Sequence, residues 1–243
     1  MLPDATVRYA DHEDAVIDLH LPDGEAGRVV VLLHGGFWKA QWDRRHTRPM
    51  ARALAERGWL VATPEYRRVG DGGGWPTTGD DVHLAVSRLP ALLEGLGLPC
   101  GPLVVTGHSA GGHLALWLAT TGLAIERVVA LAPVCDLGEA TRLGLGSNAT
   151  AALFGEVDTD LADPMVLFAQ RPSADVAIVH GDEDDDVPVS LSRGFVAAHP
   201  FVGLHELPGV GHMELIDPAS EHEFAQVVQV LQTPPSAACA ATD

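Results

Sequence analysis

Four short stretches of this chain carry residue types that do chemistry. The first is Gly107-His108-Ser109-Ala110-Gly111, which follows the apolar run LVVT and leads into AGGHLALWLA. A serine at the centre of G-x-S-x-G, between a strand and a helix, occupies a sharp turn whose neighbours must lack bulk. The turn lifts the hydroxyl above the strand ends, and the amides that follow converge on the same point. Ser109 is therefore the candidate nucleophile for acyl transfer, and the Ala110 N–H a candidate donor to the oxyanion. The competing reading, a glycine-rich phosphate loop, lacks the G-x-x-x-x-G-K run it would need.

His34-Gly35-Gly36-Phe37-Trp38 closes another apolar run, VVVLL. Two glycines let the chain turn its amides toward a ligand, so the N–H groups of Gly36 and Phe37 join Ala110 as oxyanion candidates. His34 is read as tying this loop down by hydrogen bonding rather than as a base. Trp38, Trp42 and Trp75, with His108 beside the nucleophile, are candidates for lining a substrate pocket, with ordinary packing as the alternative for the tryptophans.

In VAIVHGDEDDDVP, five acidic residues in a row, residues 182–186, follow an apolar run and precede Pro188. As a calcium loop the run fails, because Val187 and Arg193 stand where glycine and glutamate are required. One of its carboxylates can instead orient a catalytic histidine, and Asp184 is preferred by its D-x-x-V-P spacing, with Asp182 and Asp185 as runners-up. The fourth stretch, LPGVGHMEL, puts His212 on a glycine-rich loop before the last amphipathic segment. It is one of twelve histidines, with His222 the nearest rival. The chain order Ser109, Asp184, His212 is the one that a G-x-S-x-G elbow on a parallel sheet demands.

Such residues must be brought together by something. Apolar runs rich in Val, Leu and Ile predict strands over residues 15–21, 28–34, 60–64, 103–107, 127–132, 175–180 and 204–207. Amphipathic periodicity predicts helices over 47–57, 78–96, 110–120, 190–199 and 220–232. Strands alternating with helices specify an α/β fold, a mostly parallel sheet covered on both faces. Residues 136–171 interrupt the alternation and are expected to rise above the sheet without forming a large cap domain. Residues 1–232 are expected to form one domain, and 233–243 a disordered tail.

Composition sets the outer limits. The chain has 243 residues, 47% hydrophobic and 20% charged, enough to bury a core without staples. Its net charge of −18 repels phosphate backbones and anionic lipid, which disfavours nucleic-acid and membrane partners. Cys100, Cys135 and Cys239 form no metal-like pattern and fit reduced thiols. With no signal-like start and no long apolar span, a soluble cytoplasmic protein is the expectation. The expected partner is a small-molecule ester or amide, with a homodimer left open, and no cofactor or metal is called for.

These residues resemble the α/β-hydrolase superfamily over roughly residues 16–231. HGGFW is similar to the HGGxW motif of kynurenine formamidases and related small carboxylesterases, and to the HGGG-type loop of esterases with Phe37 in place of the third glycine. PEYRRVGDGGGWPTTGDDV resembles the YRL…FP…D segment these share with hormone-sensitive-lipase-like esterases, with Arg68 in place of leucine, and PVCDL resembles the formamidase segment before its lid-like excursion. The resemblance implies a serine hydrolase, a carboxylesterase or arylformamidase, acting on an ester, a formamide, a sugar acetate or an aminoacyl amide. The same fold also hosts lyases and small-molecule binders.

Overall fold

The computed structural model describes residues 2–234, so the expected tail lies almost wholly outside the described residues. Eight strands form one sheet: β1 (Ala5–Arg8), β2 (Val16–His20), β3 (Arg28–Leu33), β4 (Trp59–Pro64), β5 (Leu103–His108), β6 (Ile125–Leu131), β7 (Asp175–Gly181) and β8 (Gly203–Leu207). Their order is β1-β2-β4-β3-β5-β6-β7-β8. The pairs β1·β2 and β2·β4 are antiparallel, and every other pair is parallel. This is the α/β-hydrolase fold.

Helices α1 (Arg48–Ala55), α2 (Thr77–Gly95), α3 (Ala110–Ala119), α7 (Ser190–Ala198) and α8 (Glu221–Gln232) fall where periodicity put them. Strand residues alternate between two cores, as a pleat with period two requires. Val29, Val31, Leu33, Val105 and Ile178 pack with Leu114, Val86 and Leu89 on one face. Val30, Leu32, Val104 and Val179 pack with Met50, Leu54, Phe224 and Val227 on the other. Each such side chain, fully buried, stabilises the fold by roughly 1.5–3 kcal/mol.

Two features were not read from the sequence, a first strand and the helices inside the expected excursion. β1 is a short edge strand whose residues alternate between half-buried and exposed, so it has no apolar run to announce it. The excursion contains α4 (Leu137–Leu143), α5 (Leu145–Phe154) and α6 (Pro164–Leu167); α4 and α6 are short and α5 is broken near its start, so none sets up a clear period. Within α5, Gly146, Ser147 and Asn148 are wound left-handed, with φ of 56°, 57° and 59°.

The strand order decides where chemistry can occur. From β3 the chain steps to β4 on one side, and from β5 it proceeds through β6 to β8 on the other. The sheet therefore switches direction between β3 and β5, and the loops leaving those two strands diverge to opposite faces and open a crevice. Register pairs Leu33 with Gly107 at that edge, so HGGFW and the serine turn emerge side by side.

Candidate active site

β5 runs into α3 with a single residue between them. Ser109 has φ 57° and ψ −117°, a conformation that non-glycine residues adopt only under constraint. The constraint is visible: Ser109 N donates to Leu131 O at 2.8 Å, and Ser109 O accepts from His113 N at 3.0 Å and Val134 N at 3.3 Å. A Cβ on Gly107 would lie 2.2 Å from Gly111 O, and one on Gly111 would lie 2.2 Å from Leu33 O. Both flanking positions must be glycine for the turn to close against β3. Ala110 opens α3, where the first amides have no intrahelical acceptor and the helix dipole favours negative charge.

The second loop presses against this turn. A Cβ on Gly35 would meet His108 O at 2.8 Å and Ser109 Cβ at 3.2 Å. Gly36, Phe37 and Trp38 all have positive φ, at 103°, 51° and 56°. Gly36 also lies against the Trp42 side chain, where an added Cβ would come to 2.3 Å from Trp42 Cβ and 2.4 Å from the ring. His34 plays the tying role: its Nε2 is 2.8 Å from Glu65 Oε1, and its ring stacks on Tyr66 at 4.2 Å. The Tyr66 hydroxyl donates to His34 O at 2.7 Å. Burial alone would raise the Glu65 carboxyl, but His34, the Arg44 amide and Arg68 draw it down to about 2.

At the other side of the crevice, Asp184 Oδ2 is 2.6 Å from His212 Nδ1. A carboxylate accepts, so Nδ1 carries the proton and Nε2 is left as the basic nitrogen. Asp184 Oδ1 accepts from the amides of Asp186 at 2.9 Å and Val187 at 2.7 Å. Against the effect of burial, the His180 and His212 rings and the Val187 amide hold its carboxyl well below the usual range. The runners-up sit elsewhere. Asp182 Oδ1 accepts from Gly209 N at 2.6 Å, which ties the acidic run to the loop before His212. Asp185 is exposed, as is His222 on α8.

Ser109, His212, Gly36 and Phe37 all line one cavity of about 130 Å³. Its remaining walls are Trp42, His46, His108, Asp186 and Met213. Of the pocket candidates, Trp42 and His108 are thus in the wall, whereas Trp38 and Trp75 are not. Trp38 is 1% exposed and edge-on to His113, while Trp75 packs against Trp117 and Phe154. Both indoles are packed among core side chains instead, which corrects their expected place. His46 and Met213 carried no motif, and Asp186 was hidden among like neighbours.

The excursion reaches the oxyanion loop. A Cβ on Gly146 would come within 2.5 Å of the Phe37 ring, and Lys39 Nζ donates to Gly146 O at 2.6 Å. Asp163 braces this segment by accepting from the Leu137 and Gly138 amides at 3.1 and 3.2 Å. Burial, opposed by those amides, raises its carboxyl to about 6.

A larger depression of about 520 Å³, bordered by Leu21, Leu60 and Leu98, lies at the opposite ends of the strands and holds no nucleophile. No helix among the described residues is long and apolar enough to cross a membrane.

Fold and site together define an α/β-hydrolase chain in which a strained serine and a histidine bonded to a buried aspartate line one cavity. Its similarities are to ester hydrolases. The BD-FAE family model matches residues 17–133. The chain is 29% identical over 194 residues to the probable carboxylic ester hydrolase LipM of Mycobacterium tuberculosis, covering 69% of this chain and 44% of that protein. Among solved structures, esterase B of Lactobacillus rhamnosis, in complex with a tributyrin-derived phosphonate, superposes with a TM-score of 0.80 at 17% identity, over 95% of this chain and 86% of that one. Esterase 2 of Thermogutta terrifontis, phosphonylated by sarin, gives a TM-score of 0.78 at 18% identity, over 95% and 93%. The chain spans about half the length of the curated relatives it matches, at 44%, 51% and 56%.

Proposed function

We propose that this chain is a serine esterase that hydrolyses small carboxylic esters through an acyl-enzyme, with small aryl formamides as the next substrate class. The observation that carries the reading is the 2.6 Å contact between Asp184 and His212 on the wall of a cavity that also holds Ser109 at φ 57°.

In this scheme His212 Nε2 takes the Ser109 proton as Oγ attacks the carbonyl carbon. Charge then develops on the carbonyl oxygen, where the amides of Ala110 and of Gly36 or Phe37 are the donors, each worth ~10²–10³ in rate. Asp184 stabilises the imidazolium, which returns its proton to the leaving group. Water repeats the sequence on the acyl-enzyme and frees the acid.

Cavity size supports short acyl groups, since about 130 Å³ leaves little room for a long chain. Phe37, Trp42 and Met213 at its edge support an aromatic or compact apolar substituent, which is also what favours an aryl formamide as the second class.

The test is a hydrolysis panel of p-nitrophenyl acetate, butyrate and laurate, N-formylkynurenine and an acetylated sugar, run on wild type and Ser109→Ala. The expected result is turnover of the short esters that disappears in the variant, together with a stoichiometric fluorophosphonate adduct on wild type alone. Undiminished turnover in Ser109→Ala would exclude the mechanism. A wild type that binds these compounds without forming an adduct would leave a binding protein on the same fold.

A further inference from the structure

Asp184 has a second imidazole beside it that the hydrolytic scheme does not use. His180, near the end of β7, is fully buried and brings Nε2 to 3.2 Å from Asp184 Oδ2, the same oxygen that bonds His212. That nitrogen also lies 2.9 Å from Val187 O. A carbonyl only accepts, so Nε2 carries the proton and Nδ1 is the acceptor. The Ser192 hydroxyl, on α7, donates to Nδ1 at 2.7 Å. The ring is thus fixed from both sides in the tautomer whose Nε2–H is held by Val187 O, which leaves the same electropositive ring edge 3.2 Å from Asp184 Oδ2.

We propose, resting on the reading of Asp184 and His212 as acid and base, that His180 is a positioning residue that moderates the proton affinity of His212 through Asp184, with Ser192 selecting its tautomer. The positive N–H edge of His180, 3.2 Å from Oδ2, draws off part of the negative potential that would otherwise stabilise the His212 imidazolium. The other groups facing His212 explain why such moderation matters. Asp186 and His46 stand in the cavity wall, and Glu183, Asp185 and Glu214 border the adjoining groove. His108 lies against the ring at 4.3 Å and is kept neutral by burial and by His212 itself. Glu206, the register partner of His180 on β8, is engaged by Arg193. Carboxylates thus crowd the open side of the base, and His180 offsets them from the buried side.

The test is the pH dependence of kcat/KM on a short p-nitrophenyl ester, whose acid limb reports the base in the free enzyme. His180→Leu removes the N–H and is expected to move that limb upward by about half a pH unit. His180→Gln carries an amide N–H at the reach of Nε2 and is expected to bring it back. Ser192→Ala leaves the ring in place and is expected to move the limb the same way by less. A limb that stays put or moves down in His180→Leu, or that His180→Gln does not restore, overturns the proposal. If His180→Leu does not fold, Ser192→Ala decides by the same criterion.

Titration of His212 by NMR in histidine-labelled protein, assigned with His212→Asn, reads the shift without turnover. A wild type with no esterase activity but with the expected displacement in the variants would overturn the proposed function and keep this inference. An active wild type whose variants titrate unchanged would do the reverse.

Discussion

His108 donates from Nε2 to the carbonyl of His212 at 2.9 Å, so the residue next to the nucleophile holds the loop that carries the base. The two are 104 positions apart in the chain, yet their rings lie 4.3 Å from one another. Replacing His108 by Leu leaves that carbonyl without its partner in a buried site, which costs about 1–3 kcal/mol. The expected outcome is a fall in kcat of at least about tenfold with KM little changed, and a lowered midpoint in urea unfolding. A variant with wild-type kcat would mean that the loop holds its place unaided.

Asp184 and Asp182 separate by role. Asp184→Asn removes the acceptor at His212 Nδ1 and is expected to lower kcat by about 10³–10⁴-fold. Asp182→Asn weakens the bond to the Gly209 amide, so its effect is expected in stability, with kcat within a few-fold of wild type. Steady-state kinetics on both variants, with melting curves, check the assignment, and the opposite ranking would transfer the acid's role to Asp182.

Gly146 bears on the oxyanion loop through the Phe37 ring. Gly146→Ala adds a methyl group 2.5 Å from that ring and also strains a residue at φ 56°. Phe37 must shift, and its amide with it, so a fall in kcat of about tenfold is expected while KM changes less. Lys39→Met, which removes the donor to Gly146 O, is expected to act in the same sense and more weakly.

Glu65 gives the fold an acid-sensitive anchor. Its folded value of about 2 lies below its ordinary 4.5, so the stability it contributes is complete above about pH 4.5 and is lost as pH falls toward 2. Urea unfolding measured between pH 2 and 7 is expected to show this decline, and Glu65→Gln to flatten it. At neutral pH the same variant strands His34, Arg44 and Arg68 around a neutral amide, with an expected loss of about 3 kcal/mol.

The thiols are expected to react unequally. Burial pushes the Cys135 thiol well up, whereas Cys100 is exposed. In a Cys239→Ser background, a disulfide reagent is expected to label Cys100 at once and Cys135 only after denaturant is added. Prompt labelling of both would show that the core around Ser192 opens readily.

Much of the architecture was legible because it repeats. Seven of the strands and five of the helices announced themselves through runs and periods several residues long, and their apolar side chains fill the two cores. The short or broken elements were not legible. β1 and α4 to α6 are held by neighbours rather than by their own periodicity, as the Asp163 contacts to Leu137 and Gly138 illustrate. Aromatic residues misled for a related reason: an indole satisfies a core and a pocket equally well, and Trp38 is buried against His113 while Trp42 lines the cavity.

What the sequence determined by itself was the serine turn and the order of the chemical stretches, because G-x-S-x-G is five adjacent residues set between an apolar run and a helical one. The tertiary structure decided which of the clustered carboxylates meets His212, which histidines flank the pair, and which loop backs Phe37. The Asp184–His212, His108–His212 and Lys39–Gly146 contacts join positions 28, 104 and 107 apart. Their geometry is set by the strand order and the register between β3, β5 and β7, and no local run of residues encodes it.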